Sequence, residues 1–229
     1  FSANEKEYKL ITSDDDIKKL VADILKQKSF CFDTETTGLD SHTAEIVGIS
    51  FCWENDKAFY IDIPKEKTEA IMALIEPVFK NPEVEIIGQN IKYDINILQQ
   101  YSITVEGKLF DTMIAHYLIE PDLKHGMDFL SETYLNYRPI SIETLIGKKG
   151  KNQKNMRDIP AEEISNYACE DADITFQLKQ IFEKELKKVG LSDLLADLEM
   201  PLIKVLSDME TQGISLDVKA LADFSVELQ

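Results

Sequence analysis

Apolar residues change period several times along this chain, and each change predicts an element. Ser13-Asp14-Asp15-Asp16 stands before Ile17, Leu20, Val21, Ile24 and Leu25, a helical spacing behind a capping residue. The three aspartates serve there as cap and dipole partners rather than as ligands. Residues 29–34, 45–53 and 57–63 then form three strand-like runs in quick succession, and their short connections imply antiparallel neighbours. Residues 68–79 return to helical amphipathicity, 84–88 read as a short buried strand, and 91–100 as another helix. Leu109 and Phe110 suit a last strand, after which 112–119, 127–135 and 161–189 read as helices separated by Pro121, Pro139 and Pro160. A long helix over 191–212 carries Pro201 near its middle, where a kink or break is expected, and ends at Gly213. Residues 220–229 are helical again. The pattern predicts an α/β fold with a mixed sheet.

Length and charge narrow the class. A chain of 229 residues suits one main domain plus an appendage. With 44% hydrophobic and 29% charged residues it reads as globular. No apolar run approaches the roughly 18 residues that cross a bilayer, and Phe1-Ser2-Ala3-Asn4-Glu5-Lys6 lacks the build of a signal peptide. The expectation is a cytoplasmic protein with no membrane partner. It begins with Phe and stops inside a predicted helix, as a fragment of a longer protein would. Cys31, Cys52 and Cys169 form no C-x-x-C pair and read as small buried hydrophobes in a reducing compartment. A net charge of −17 excludes a general nucleic-acid-coating module, since phosphate affinity comes from Lys and Arg. It remains compatible with an enzyme that grips a few nucleotides while divalent ions supply positive charge. The one basic concentration is Lys148-Lys149-Gly150-Lys151-Asn152-Gln153-Lys154 with Arg157, either a solvated loop or a contact surface.

Candidate chemistry lies in three places. Asp33-Thr34-Glu35 closes the apolar run Phe30-Cys31-Phe32, where a central strand is predicted and solvated charge is out of place. Residues i and i+2 of a strand share a face, so the two carboxylates project together and repel unless a cation lies between them. Acids number 42 of 229, so such triplets also arise by chance, and a strand reaching the surface is the competing reading. Asn90 and Asp94 open the helix over 91–100 on one face near its N-terminus, where Asn90 equally suits an N-cap. The third place is Tyr167-Ala168-Cys169-Glu170-Asp171-Ala172-Asp173. Helical periodicity puts Ile164, Tyr167, Ala168, Asp171, Ile174, Thr175 and Leu178 on one stripe and turns Asp173, about 600° from Tyr167, away. Asp171 is therefore the expected inward acid. No Lys or Arg stands at the neighbouring stripe positions, which makes a metal ion the economical partner.

In that order, Asp33-x-Glu35, Asn90-x-x-x-Asp94 and Tyr167-x-x-x-Asp171 resemble the three motifs of the DEDD exonuclease superfamily, in its tyrosine branch. The histidine branch carries His five residues before the last Asp, where this chain has Asn166. Phe32-Asp33-Thr34-Glu35-Thr36, Gly88-Gln89-Asn90-Ile91-Lys92-Tyr93-Asp94, Phe110-Asp111-Thr112-Met113 and Gly150-Lys151-Asn152-Gln153 are similar to the proofreading domains of bacterial DNA polymerase I enzymes. Glu199-Met200-Pro201-Leu202 and Met209-Glu210-Thr211-Gln212-Gly213-Ile214 resemble the start of that family's polymerase domain. The resemblance implies a ribonuclease H-like mixed β-sheet flanked by helices, with a C-terminal helical extension. It divides the chain into an exonuclease domain over residues 1–189 and a truncated start of the polymerase domain over 190–229.

The same resemblance implies two divalent ions, Mg²⁺ or Mn²⁺, which oxygen-only ligands suit; zinc would prefer nitrogen or sulfur. Asp33, Glu35 and Asp171 would hold the first, Asp33 would bridge to the second, and Asp94 would support the second through water. Tyr167 matches the tyrosine that orients the attacking water, with Glu35 assisting. Leu39 matches the residue wedged beside the terminal base, and Gln89, Asn90 and Tyr93 contacts to the last nucleotides. Lys151, Asn152 and Gln153 match a loop near the strand. For Leu39 and Tyr93, core packing stays an open alternative. The implied substrate is a single-stranded or frayed DNA 3′ end, because a duplex must unpair to reach a recessed site. Nucleoside 5′-monophosphates would be the product, made by a monomer covalently linked to a polymerase domain. Two rivals stand beside this reading: a ribonuclease D-like exoribonuclease, disfavoured by the polymerase-like tail, and a catalytically silent scaffold, disfavoured by the full set of acids.

Overall fold

The computed structural model describes residues 6–150 and 152–228. Among them six strands form one sheet in the order β1-β4-β3-β2-β5-β6: β1 (Glu7–Ile11), β2 (Ser29–Thr36), β3 (Ile46–Glu54), β4 (Lys57–Asp62), β5 (Glu85–Gly88) and β6 (Lys108–Asp111). β2, β3 and β4 run antiparallel, the first two joined by the loop over 37–45 and the last two by a tight turn over 55–56, while β5 and β6 join parallel on one side and β1 on the other. The expected mixed sheet is present, with one strand more than the pattern announced. β1 escaped the sequence because it is an edge strand whose alternating exposed positions, Glu7 and Lys9, break the apolar run.

Helices cover both faces of the sheet. α1 (Asp14–Ile24) begins at Ser13, whose hydroxyl accepts from the Asp16 amide at 3.2 Å, and the acidic first turn faces solvent as expected. α2 (Thr68–Ile75) stops short of the predicted end because Pro77 has no N–H to continue it, and residues 76–79 tighten into a 3₁₀ turn. On this face Phe30, Phe32, Phe51 and Phe79 pack edge-on or tilted, with ring centroids 5.0 Å apart for Phe32 and Phe79. α3 (Ile91–Gln100) and α4 (Thr112–Ile119) follow β5 and β6 with the predicted boundaries. α5 (Met127–Leu130) relaxes into a π turn over 131–135, and α6 (Ile142–Ile146) is a short helix the periodicity had not marked.

α7 (Ala161–Val189) lies across the opposite face, its Ala168, Cys169 and Ala172 fully buried. Cys31 and Cys52 are cross-strand partners, and all three cysteines are buried free thiols. Beyond Gly190, one turn of α8 (Ser192–Leu194) and a π turn lead into α9 (Met200–Gln212). Residues 192–212 stay helical without a gap, Leu195, Glu199 and Met200 all keeping right-handed helical dihedrals, and the π turn over 195–199 falls just before Pro201, where the missing N–H interrupts the regular ladder. Gly213 ends α9 at φ 64°, and α10 (Val218–Glu227) closes the described chain.

One packing detail bears on the site. Gly48 on β3 lies opposite Glu35 on β2, and a methyl group added at Gly48 would collide with the hydroxyl end of the Tyr60 side chain. Tyr60 is fully buried and has no room to retreat. Gly48→Ala is expected to cost about 1–3 kcal/mol by overpacking, a fall of roughly 3–10 °C in Tm for a domain of this size. Thermal melting followed by circular dichroism checks it, and an unchanged Tm would mean that the ring moves freely.

Candidate active site

β2 carries Phe30, Phe32 and Thr34 toward one face and Cys31, Asp33 and Glu35 toward the other, because side chains alternate along a strand. The register slips between Glu35 and Thr36, and such bulges re-aim side chains at the ends of strands. α7 crosses this face and supplies Tyr167 and Asp171 one turn apart on the same side of the helix. One carboxylate oxygen each from Asp33, Glu35 and Asp171 lies within 4.8 Å of the others. Burial pushes Asp33 up to about 7. Burial, then the charges of Asp33, Asp171 and Asp94, holds Glu35 well above the carboxylate range, and Asp171 is raised by burial and then by Asp33. Glu35 Oε1 is buried with no hydrogen-bond partner among the described residues. Acids forced together without a partner are the arrangement a cation relieves.

Asp94 comes from the first turn of α3. Its Oδ1 accepts from the Thr34 amide at 3.0 Å and from the Thr34 hydroxyl, tying α3 to β2, while burial and then the Asp33 charge raise its pKa. Asn90 occupies the N-cap position in the left-handed region (φ 57°), yet its side chain makes no capping bond and stands exposed at the cleft. The capping work falls to Asp111, whose Oδ2 accepts from the Ile91 amide at 2.8 Å and whose Oδ1 accepts from Met113 and Ile114. One buried carboxylate therefore caps both α3 and α4. In the sequence, the place of Asp111 just before a helix is the one signal for this role.

The helical stripe separates the acids of α7 correctly in direction but not in environment. Asp173 points away from the cleft, yet it is 0% exposed. β1 and the turn after β3 cover that side of α7, so Asp173 accepts from Tyr8 Oη at 2.8 Å, the Asp56 amide at 3.0 Å and Gln177 at 2.8 Å. Glu170 is buried too, accepting from the Ile140 amide at 2.6 Å and pairing with Lys6 at 3.2 Å. Periodicity had assumed solvent beyond the stripe.

The carboxylates floor an open cleft of about 770 Å³ lined also by Thr36, Leu39, Gln89, Asn90, Tyr93, Gln153 and Tyr167. Leu39 is 92% exposed on its rim, which removes core packing as its role. Tyr93 is half-buried and donates to the Gly38 carbonyl at 2.6 Å, pinning the loop that presents Leu39. Gln89 is held from both ends, donating to the His125 carbonyl at 2.8 Å and accepting from Thr112. Asn152 is exposed and outside the lining, and Lys151 lies outside the described residues. Lys149, Lys154 and Asn155 join the wall, Asn155 donating to the Thr37 carbonyl at 3.0 Å. Ile142 and Ile146 of α6 line it as well, unflagged by a sequence in which five-residue helices carry no readable period.

A sheet and a crossing helix deliver clustered acids that could hold a metal ion into an open cleft, and the fold is ribonuclease H-like. Residues 8–187 match the family described as 3′-5′ exonuclease, and the chain belongs to it. It is 39% identical over 220 residues to DNA polymerase I of Borreliella burgdorferi, which covers 93% of this chain and 24% of that protein. The chain thus spans about a quarter of the length of the curated relatives it matches. Among solved structures, the POL domain of Pol1 from M. smegmatis in complex with DNA primer-template and dNTP aligns at TM-score 0.75 and 16% identity, covering 96% of this chain and 34% of that one. Brucella melitensis NrnC with bound Mg²⁺ aligns at TM-score 0.69 and 17% identity, covering 94% and 98%. No helix among the described residues is long and apolar enough to cross a membrane.

Proposed function

We propose that this chain is the proofreading unit of a DNA polymerase I, removing nucleoside 5′-monophosphates from single-stranded or frayed DNA 3′ ends with two divalent ions, Mg²⁺ or Mn²⁺. The convergence of Asp33, Glu35 and Asp171, with a buried Glu35 oxygen lacking a partner, carries the reading. The donor set is oxygen alone, as these ions prefer. Asp33, Glu35 and Asp171 would hold the first ion, with Asp33 shared by the second and Asp94 supporting it from α3. When bound, the ions supply a nucleophile at neutral pH and neutralise charge on phosphate and leaving oxygen. A neighbour of the same fold carries Mg²⁺, which supports the choice of ion.

The remaining work belongs to the side chains. Tyr167, its phenol pushed above its usual range by burial and then by Asp171 and Glu35, stays protonated and orients the attacking water instead of accepting its proton. Leu39 offers an apolar surface beside the terminal base, and Gln89, Asn90 and Tyr93 flank the last nucleotides along the cleft. Gln153 approaches the strand from the basic loop, and Lys151 and Asn152 are the further contacts proposed for that loop. Discrimination against paired ends arises from the cost of unpairing and needs no base readout. Residues 1–189 form the exonuclease domain in this reading, and 190–229 begin a polymerase domain. The exposed Val205, Met209, Leu221 and Phe224 on α9 and α10 suit helices that continue into further structure. The unit works as a monomer in the cytoplasm, joined covalently to that polymerase.

The test is digestion of 5′-labelled single-stranded DNA and the matching RNA with Mg²⁺ or Mn²⁺. A DNA ladder shortening from the 3′ end supports the proposal. Faster loss of RNA would make the chain an exoribonuclease, and no cleavage of either a scaffold. Tyr167→Phe is expected to lower the rate about 10²-fold while sparing metal affinity, as the loss of one positioned hydrogen bond should. A drop in Mn²⁺ affinity as deep as that of a carboxylate variant would instead make Tyr167 part of the metal site.

A further inference from the structure

Near Glu35 lie buried polar atoms of Tyr60 and Arg157 that the proposed mechanism does not use. Glu35 Oε1, Tyr60 Oη and Arg157 Nε are each buried without a hydrogen-bond partner among the described residues. Leaving such an atom unpaired costs about 1–3 kcal/mol, so a cluster of them calls for an explanation. Their positions supply one. Gly48 is the cross-strand partner of Glu35, and the Tyr60 hydroxyl occupies the space a Gly48 side chain would fill. Directly opposed side chains begin about 4.5–5.5 Å apart, so the phenol stands within one side chain's reach of Glu35. A phenol keeps its proton at neutral pH and is therefore available as a donor. Arg157 is fixed by bonds to the Ile63 carbonyl at 3.0 Å and to the Ile46 carbonyl, with its Nε 4.0 Å from the Glu45 carboxylate.

We infer that Tyr60 is a positioning residue for the exonuclease reaction: its hydroxyl, otherwise unpaired, is placed to donate to the Glu35 carboxylate as that group turns to the metal ion, and so fixes the orientation in which Glu35 binds it. The inference rests on the carboxylates holding metal. It also accounts for glycine at position 48, since any side chain there would displace the donor. Tyr60 touches neither substrate nor ion and acts through Glu35 alone.

Tyr60→Phe keeps the ring and removes the hydroxyl, so the variant should keep the wild-type circular dichroism spectrum. Mn²⁺ binding to the full chain without DNA, followed by the electron paramagnetic resonance signal of free Mn²⁺, is expected to weaken about 10-fold, as loss of a bond to a metal ligand does. In a Glu35→Gln background the same substitution should have no further effect on Mn²⁺ affinity, since the residue acts through Glu35. Affinity within twofold of wild type, or an equal loss in the Glu35→Gln background, would overturn the inference. Asp33→Ala separates the two levels: if it loses Mn²⁺ while Tyr60→Phe binds normally, only the role of Tyr60 falls. If the wild type itself binds no Mn²⁺, the metal reading and the inference fall together.

Discussion

Asp33→Ala should abolish shortening of a 3′ end, with a rate at least about 10³-fold below wild type, because it removes the acid common to both proposed ions. Asp33 stands at the centre of the cluster: its charge is among the forces that raise Glu35, Asp94 and Asp171. Removing it should relax its neighbours while depriving the ions of their shared ligand. Activity and stability should therefore move in opposite directions, the variant melting above the metal-free wild type at neutral pH. Asp94→Ala should behave differently. Its carboxylate also ties Thr34 of β2 to α3, so its loss should lower both activity and Tm. Rates on 5′-labelled DNA and melting in the presence of a chelator read both quantities. Full activity in Asp33→Ala would remove the cluster from the chemistry altogether.

Metal should govern how stability depends on pH. Asp33 carries a folded-state pKa of about 7 against an ordinary 3.8, and burial raises Glu35, Asp94 and Asp171 in the same direction. Between those values the folded protein holds more protons than the unfolded chain, so stability falls as pH rises from about 4 through 7. Most globular proteins gain or hold stability over that range. Divalent ions replace the protons, and at about 100-fold above Kd they should raise Tm at pH 7.5 by about 5–10 °C. At pH 5, where the acids keep their protons, the same ion concentration should do little. Melting curves at the two pH values, with Mg²⁺ and with chelator, make the comparison. A metal-free Tm that rises toward pH 7.5, or an equal Mg²⁺ effect at both values, would contradict buried acids competing with a cation.

Much of this site is legible in the sequence. The helices carrying Asp94 and Asp171 begin and end where the apolar period placed them, because long amphipathic segments state their period many times over. Asp33 and Glu35 were readable as a pair since a strand's alternation is strict. The short or half-exposed pieces were harder. β1 alternates weakly, α6 has too few residues to repeat, and the helical run over 192–212 takes a π turn before Pro201 that no period announces. Leu39 could not be assigned from an apolar residue type alone. Only the Tyr93 bond to Gly38 and the open cleft show it standing on the rim.

The sequence by itself determined which residues carry charge where charge is costly, and the order of the elements that bear them. Tertiary structure decided which of those charges meet. Asp171 joins Asp33 and Glu35 because α7 crosses the face of β2 from which both project. Glu170 and Asp173, equally buried, are satisfied instead by Ile140, Tyr8 and Asp56 on other elements. It also decided that Asp111 caps two helices and that the Tyr60 hydroxyl fills the space left by Gly48. Periodicity is a local property of the chain and reports only which way a side chain leaves its own element. What it meets depends on strand order and helix crossing, which are set by packing between segments more than a hundred residues apart.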